Sequence, residues 1–283
     1  MRLDGNTMAA EVRAEVRSEV AALKSCGIAP GLAVILVGDD PASRVYVNHK
    51  QKDCAEVGIY SEEFALPADT AEDELLALVE SLNNRGDISG ILCQAPLPAP
   101  LDFGAVVAAV SPAKDVDAFN AFNVGHIMLG DYTFLPCTPA GIMEMLRRAD
   151  IPVAGRHAVV VGRSHIVGKP MAMMLLHANA TVTICHSKTK NLPELCRQAD
   201  ILVAAVGRAG LITADMVRPG AVIIDVGMNR GADGKLHGDV DFGAVEPIAS
   251  AITPVPGGVG PMTRAMLLKN TVTAAKRQNG IAV

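Results

Sequence analysis

The segment from His157 to Pro170 constrains this 283-residue chain more than any other. His157 to Val161 is short, apolar and β-branched, the pattern of a strand buried on both faces. Gly162-Arg163-Ser164 follows, then Gly168 and Pro170, and a proline lacking its N–H is tolerated in the first turn of a helix. A strand that runs through a glycine turn into a helix presents backbone N–H groups and the positive end of a helix dipole, where a dinucleotide pyrophosphate binds. The glycine spacing departs from the usual fingerprint, so strand–turn–helix packing alone is a competing explanation.

The next strand, Ala180 to Cys185, ends about 20 residues beyond Gly162, where an NAD enzyme places an acidic residue on the ribose hydroxyls. Here the chain reads His186-Ser187-Lys188-Thr189-Lys190. Hydroxyl and cationic groups without a carboxylate, together with Arg163 in the turn, suit a 2′-phosphate and point to NADP. Lys188 and Lys190 read equally as a solvated loop.

The same alternation runs through the whole chain. Val12, Val16, Val20 and Leu23 form a helical stripe, followed by strand 32–37, a helix over 43–57, strand 59–66, a helix over 72–82 capped by Thr70, and strand 90–93. After a connector at 134–138, a helix over 139–149 opens a second set, with strands at 157–161, 180–185, 201–206, 221–226 and 250–253. The expected fold is therefore α/β: two α/β domains with mostly parallel sheets, the C-terminal one of Rossmann type, with a ligand cleft between them. The boundaries are 1–138, with helix 262–283 packing back onto it, and 139–261.

With 50% hydrophobic residues and a net charge of −5, the chain is globular, and no basic run suggests nucleic acid or a membrane surface. Its six cysteines show no metal-ligand spacing. No apolar run approaches the ~20 residues of a membrane span, and a cytoplasmic location is expected.

Several short patterns carry chemistry. Tyr46 and Lys50 lie four residues apart on one helix face, as a site pair or as a surface tyrosine beside a solvated lysine. Gln94 follows a strand directly and precedes the stiff Ala95-Pro96-Leu97-Pro98, so it is either a positioned amide or a turn cap. Lys114-Asp115-Val116-Asp117 offers carboxylates to a heterocycle's amino group, or is an exposed acidic turn. The run from Pro254 to Pro261 makes a rigid backbone wall or a domain hinge.

Taken in order, these patterns closely resemble one family over essentially the whole chain: the bifunctional methylenetetrahydrofolate dehydrogenase/methenyltetrahydrofolate cyclohydrolases. Pro136-Cys137-Thr138-Pro139 and Asp225-Val226-Gly227 add to the match. The resemblance implies a cyclohydrolase lysine at Lys50 with Gln94 as its partner amide, pterin binding by Asp117 and stacking by Tyr46. It further implies folate contacts at Pro256, Gly257, Gly258, Pro261 and Thr263, and NADP contacts at Gly162, Arg163, Ser164, Ser187 and Met228. Tetrahydrofolate derivatives as ligands and a homodimer are implied as well. The chain departs from the family at Ala118, where glycine is usual, at Asn120, where histidine is frequent, and at Ala95, where leucine is common. If position 118 requires positive φ, alanine adds strain of about 1 kcal/mol or more.

The implied chemistry divides into two steps with different demands. Hydride loss leaves a cation stabilised by two nitrogen lone pairs and mainly needs alignment. Hydrolysis needs a group that takes a proton from water and returns it to a ring nitrogen. A free lysine, with pKa near 10.4, serves as that base around pH 7–8 only if depressed by about 3 units. Burial and a cationic substrate both push in that direction. A dehydrogenase of a small hydroxy or amino acid and a non-enzymatic NADP sensor are the rival readings, and neither needs Tyr46, Lys50 and Gln94 as a set.

Overall fold

A computed structural model describes residues 1–232 and 234–282. The chain divides into two compact units, one comprising Ala10–Cys137 and the chain from Arg264 onward, the other Met1–Ala9 and Thr138–Thr263.

In the first unit, helix α1 (Gly5–Ser25) precedes β1 (Gly31–Val37), α2 (Pro41–Val57), β2 (Tyr60–Leu66), α3 (Glu72–Asn84) and β3 (Gly90–Cys93). The α1 stripe Val12, Val16, Val20 and Leu23 is buried. The strands form a parallel sheet in the order β2-β1-β3. Every residue of central β1 is buried, which is why it reads as a continuous apolar run. Two short helices that the sequence reading passed over, α4 (Phe103–Ala109) and α5 (Ala121–Leu129), complete this half. Their apolar patterns span barely two turns, too short for periodicity to register, although Asp102 and Asn120 cap them with side-chain acceptors. Thr70 is not the cap of α3. That position belongs to Ala71, and the Thr70 hydroxyl donates to the Pro67 carbonyl at 2.7 Å.

The second unit opens with α6 (Cys137–Arg148), which starts inside the expected connector. It contains β4 (His157–Val161), α7 (Gly168–His177), β5 (Thr181–Cys185), α8 (Leu192–Cys196), β6 (Ile201–Ala204), β7 (Val222–Asp225), the hairpin β8 (Asn229–Arg230) and β9 (Leu236–His237), α9 (Phe242–Val245), β10 (Ala251–Ile252) and the start of α10 (Val259–Gln278), whose residues from Arg264 onward belong to the first unit. The five-stranded sheet is wholly parallel in the order β10-β7-β6-β4-β5. With β4 as first strand this is the doubly wound order 2-1-3-4-5, whose direction reverses between β4 and β6. Ligands of such sheets bind at the carboxyl ends of the strands flanking that reversal.

Residues Met1–Ala9 belong with this second unit rather than with the stretch that follows them. The Leu3 amide donates to the Ile252 carbonyl at 2.8 Å, Ile252 to Met1 at 3.0 Å, and Gly5 to Gly257 at 2.9 Å. The segment lengthens the ladder beside β10, and nothing in its composition announces so distant a partner.

Candidate active site

Helix α2 begins at Pro41 behind Asp40, whose carboxylate accepts the Ser43 amide at 2.8 Å, and this cap starts the helix that carries Tyr46 and Lys50. Both side chains are half-buried. The Lys50 amine donates to Gln94 Oε1 at 2.9 Å, so Lys50 is not a solvated surface lysine. Gln94 sits at the end of β3, its own amide donating to Ile35 at 2.8 Å. Its Nε2 donates to the Ala95 carbonyl at 2.7 Å, which turns Oε1 toward the amine. Burial pushes the Lys50 pKa below the ordinary lysine value, and the Asp117 carboxylate opposes that shift without cancelling it. The thiols of Cys54 and Cys93, pushed up to about 12 by burial, stay protonated beside it.

Asp117 lies in a loop held by its neighbours. Lys114 is buried and donates to the carbonyls of Leu82 and Arg85 at 3.0 and 2.6 Å. Asp115 accepts the amides of Phe119 and Asn120 at 3.2 and 2.8 Å, and Asn123 Nδ2 at 2.8 Å. The acidic stretch is thus no exposed turn: Asp115 anchors the loop, and Asp117 is left beside Lys50. Burial raises the Asp117 pKa, against the pull of Lys50 and a hydrogen bond from the Cys137 thiol. Ala118 is buried with φ of 57°, the left-handed conformation that glycine would adopt freely. Asn120 stands where its carbonyl caps α5 at Phe122 (2.9 Å) and its Nδ2 reaches Val107 and Val110. Asn270 of α10, absent from the sequence-derived set, donates to the Val116 carbonyl at 2.7 Å and steadies the loop from behind. Flanked by Lys269 and Thr271, it carries no signal in the sequence that sets it apart from a solvated helix residue.

In the second unit the glycine turn leaves β4 with the Gly162 amide on Cys185 O at 2.9 Å. Gly162 has φ of 134°, and a Cβ there would stand 2.2 Å from the Ala205 carbonyl oxygen. A Cβ on Gly168 would meet Gly162 O at 2.3 Å. The unusual spacing therefore still serves close strand–helix approach. The Ser164 hydroxyl accepts the amides of Val167 and Gly168 at 3.1 and 3.2 Å, and Arg163 and Ser187 are exposed. Met228 is exposed as well, between β7 and β8. Lys188 and Lys190 are also exposed, and the Lys188 amide donates to His186 Nδ1 at 3.1 Å.

The run from Pro254 lies wholly within this second unit. Gly257 has φ of 101°, and a Cβ on Gly258 would stand 2.5 Å from Pro254 O. Gly5 packs so tightly on it that an added Cβ would fall 1.7 Å from Gly258 O. Pro256 and these glycines form the loop, whereas Pro261 and Thr263 lie in the first turn of α10, where Thr263 Oγ1 contacts Thr138 Oγ1 at 3.0 Å.

A doubly wound parallel sheet with a glycine turn at its reversal point, in a chain that also buries an amine against an amide and a carboxylate, defines a dinucleotide-dependent α/β enzyme. Residues 136–279 match the NAD(P)-binding domain of tetrahydrofolate dehydrogenase/cyclohydrolase, and residues 3–117 match its catalytic domain. The chain belongs to the tetrahydrofolate dehydrogenase/cyclohydrolase family. It is 59% identical to the bifunctional protein FolD of Ruminiclostridium cellulolyticum over 99% of this chain and 98% of the relative. The crystal structure of the bifunctional FolD enzyme from Campylobacter jejuni superposes with a TM-score of 0.96 at 48% identity, covering 98% and 99% of the two chains. The Trypanosoma brucei dehydrogenase-cyclohydrolase, solved with NADP and an inhibitor, superposes with a TM-score of 0.93 at 37% identity, covering 98% of this chain and 97% of the other.

Proposed function

We propose that this protein oxidises 5,10-methylenetetrahydrofolate to the 5,10-methenyl form with NADP and hydrolyses that product to 10-formyltetrahydrofolate, within one-carbon metabolism. The observation that carries the reading is the Lys50 amine, depressed in pKa by burial and fixed at 2.9 Å on an amide whose orientation is set by Ala95. Family membership supplies the substrate class.

The second unit suits NADP. Its glycine turn closes against Ala205 where any Cβ would intrude, and the 186–190 loop holds no carboxylate to repel a 2′-phosphate. Gly162, Arg163, Ser164, Ser187 and Met228 would hold the cofactor. NADP bound there would supply the hydride acceptor for oxidation of the methylene carbon. Tyr46 and Asp117 orient the folate, Asp117 by accepting from the amino-pyrimidine edge, and the family resemblance adds Pro256, Gly257, Gly258, Pro261 and Thr263 as folate contacts. That step asks only for alignment.

Hydrolysis asks for a proton shuttle. The neutral Lys50 amine takes a proton from water as its oxygen bonds to the methenyl carbon, and Gln94 holds the amine without adding charge. As the carbon–N5 bond breaks, Lys50 returns that proton to N5. That transfer restores the neutral amine, and the hydroxyl proton leaves to solvent as the formyl group forms.

We place this activity in the cytoplasm, in a homodimer. Among the described residues no helix is long and apolar enough to cross a membrane. The edge strand β5 exposes Ile184, a face suited to a second copy. Light scattering tests the dimer. An absorbance assay with methylenetetrahydrofolate and NADP tests the chemistry: NADPH should accumulate, methenyltetrahydrofolate supplied alone should be consumed, and failure of either overturns the reading.

A further inference from the structure

Two aspartates in the second unit are buried yet lie outside the site described above. Asp225 ends β7 and Asp239 follows β9, and they are 2% and 0% exposed. Burying a carboxylate is costly unless hydrogen-bond donors replace the water it loses. Asp239 is fully supplied. Its Oδ2 accepts the amides of Val206 and Gly207 at 2.7 and 3.0 Å, and its Oδ1 accepts the Arg208 amide at 2.8 Å and Asn229 Nδ2 at 3.0 Å. Asp225 in turn accepts the amides of Gly227, Asp239 and Val240 at 2.8–3.0 Å.

Both carboxylates sit where only glycine leaves room. A Cβ on Gly227 would stand 2.3 Å from Asp239 Oδ1, and one on Gly238 would stand 1.8 Å from Asp225 Oδ2. The fold thus keeps two pockets for charge in a place where an apolar pair would pack more cheaply. What these charges organise is specific. Val206–Arg208 is the turn that leaves β6, directly after Ala205, whose carbonyl closes on Gly162 and whose amide donates to Val161 at 2.8 Å. β4 and β6 are the strands flanking the sheet's reversal point, so both turns border the place where a doubly wound sheet takes its dinucleotide. Met228 is held from both sides, through Gly227 on Asp225 and through Asn229 on Asp239.

We propose that Asp239 is a positioning residue of the cofactor site, its buried carboxylate fixing the Val206–Arg208 turn against the glycine turn and, through Asn229, fixing one side of the segment that carries Met228. It touches neither the cofactor nor the reacting atoms. The inference rests on the assignment of this unit to NADP, and its effect falls on backbone geometry common to NADP and NAD, not on the 2′-phosphate.

The test is Asp239→Asn, which keeps the shape but points an NH2 group at backbone donors. Calorimetry should show NADP binding weakened at least tenfold and NAD binding weakened by the same factor within twofold. Hydrolysis of methenyltetrahydrofolate, assayed without cofactor, should stay within twofold of wild type. Hydrogen exchange at Val206–Arg208 should accelerate more than at β4. NADP affinity within twofold of wild type, or a loss confined to NADP, overturns the proposal. Should Asp239→Asn not fold, Asn229→Ala decides, because it removes one donor and leaves the carboxylate and its three amides. A threefold or greater loss of NADP affinity with normal cyclohydrolase activity supports the inference, and unchanged affinity overturns it. Wild-type protein that binds NADP yet oxidises no methylenetetrahydrofolate would defeat the proposed function while leaving this binding comparison intact.

Discussion

Replacing Lys50 with methionine separates the two chemistries. The substitution keeps an unbranched side chain of similar length and removes the amine that donates to Gln94. General acid–base catalysis is worth about 10²–10⁴-fold, or about 2.7–5.4 kcal/mol at 1.36 kcal/mol per factor of ten. Among the described groups beside Lys50 none substitutes for it: burial pushes the Cys54 and Cys93 thiols up to about 12, and Asp117 is engaged with the Cys137 thiol. Cyclohydrolase activity should therefore fall by at least a hundredfold and NADP-dependent oxidation should persist, with methenyltetrahydrofolate accumulating as a near-ultraviolet absorber. Stability should move the opposite way. The Lys50 pKa is lowered even though Asp117 attracts its ammonium, so burial outweighs that attraction and the charge is a net burden on the fold. A folded pKa below the unfolded one means that wild-type stability falls as pH drops from the unfolded lysine value toward the folded one, because over that window only the unfolded chain binds the extra proton, and it levels off below the folded value. The methionine variant loses that slope, and its thermal midpoint at neutral pH should equal or exceed that of wild type. Hydrolysis within tenfold of wild type would refute Lys50 as the shuttle.

Three further outcomes are expected. Cyclohydrolase kcat should rise with pH along a limb set by Lys50 below the ordinary lysine value; Asp117→Asn removes the attraction that raises it, so the limb should move to lower pH, and an upward or null shift contradicts the pairing. Arg163→Ala should cut the NADP-over-NAD ratio of kcat/KM by about 10- to 150-fold, the worth of one charge-assisted hydrogen bond at about 1.5–3 kcal/mol, and an unaltered ratio removes Arg163 from the phosphate. Gly162→Ala forces a methyl toward Ala205 O at a positive φ, which should cost about 1–3 kcal/mol in denaturant unfolding and abolish NADP binding; wild-type stability and affinity would show that the turn relaxes.

Lys50 and Gln94 were legible because one sits on a helix face at a fixed spacing from Tyr46 and the other follows a strand directly, and both signals are local in sequence; Asp117, in a loop, stood out only by its alternation with Lys114 and Asp115. The glycine turn was legible for the same reason. The scaffold beneath them was not. Asp115 shares the Lys114–Asp117 pattern with Asp117, yet it spends its oxygens on Phe119, Asn120 and Asn123, a difference set by three-dimensional burial and by no property of the pattern. Asp225 and Asp239 look like ordinary strand-end acids until the amides they gather are seen together. The conditional strain at position 118 did materialise, with alanine at φ of 57° and its methyl buried, so the loop holds against about 1 kcal/mol of local cost.

Each unit is assembled from two distant stretches of chain, and this governs the order in which the molecule becomes complete. The Val116 carbonyl beside Asp117 waits for Asn270, 154 residues later. Gln278 closes on Ser89 across 189 residues and Lys276 on Glu19 across 257. At a synthesis rate of about 5–20 residues per second, the catalytic half emerges early yet stays unfinished until the last helix leaves the ribosome. During that interval the Val116 and Ser89 carbonyls lack the side-chain donors that the last helix brings them.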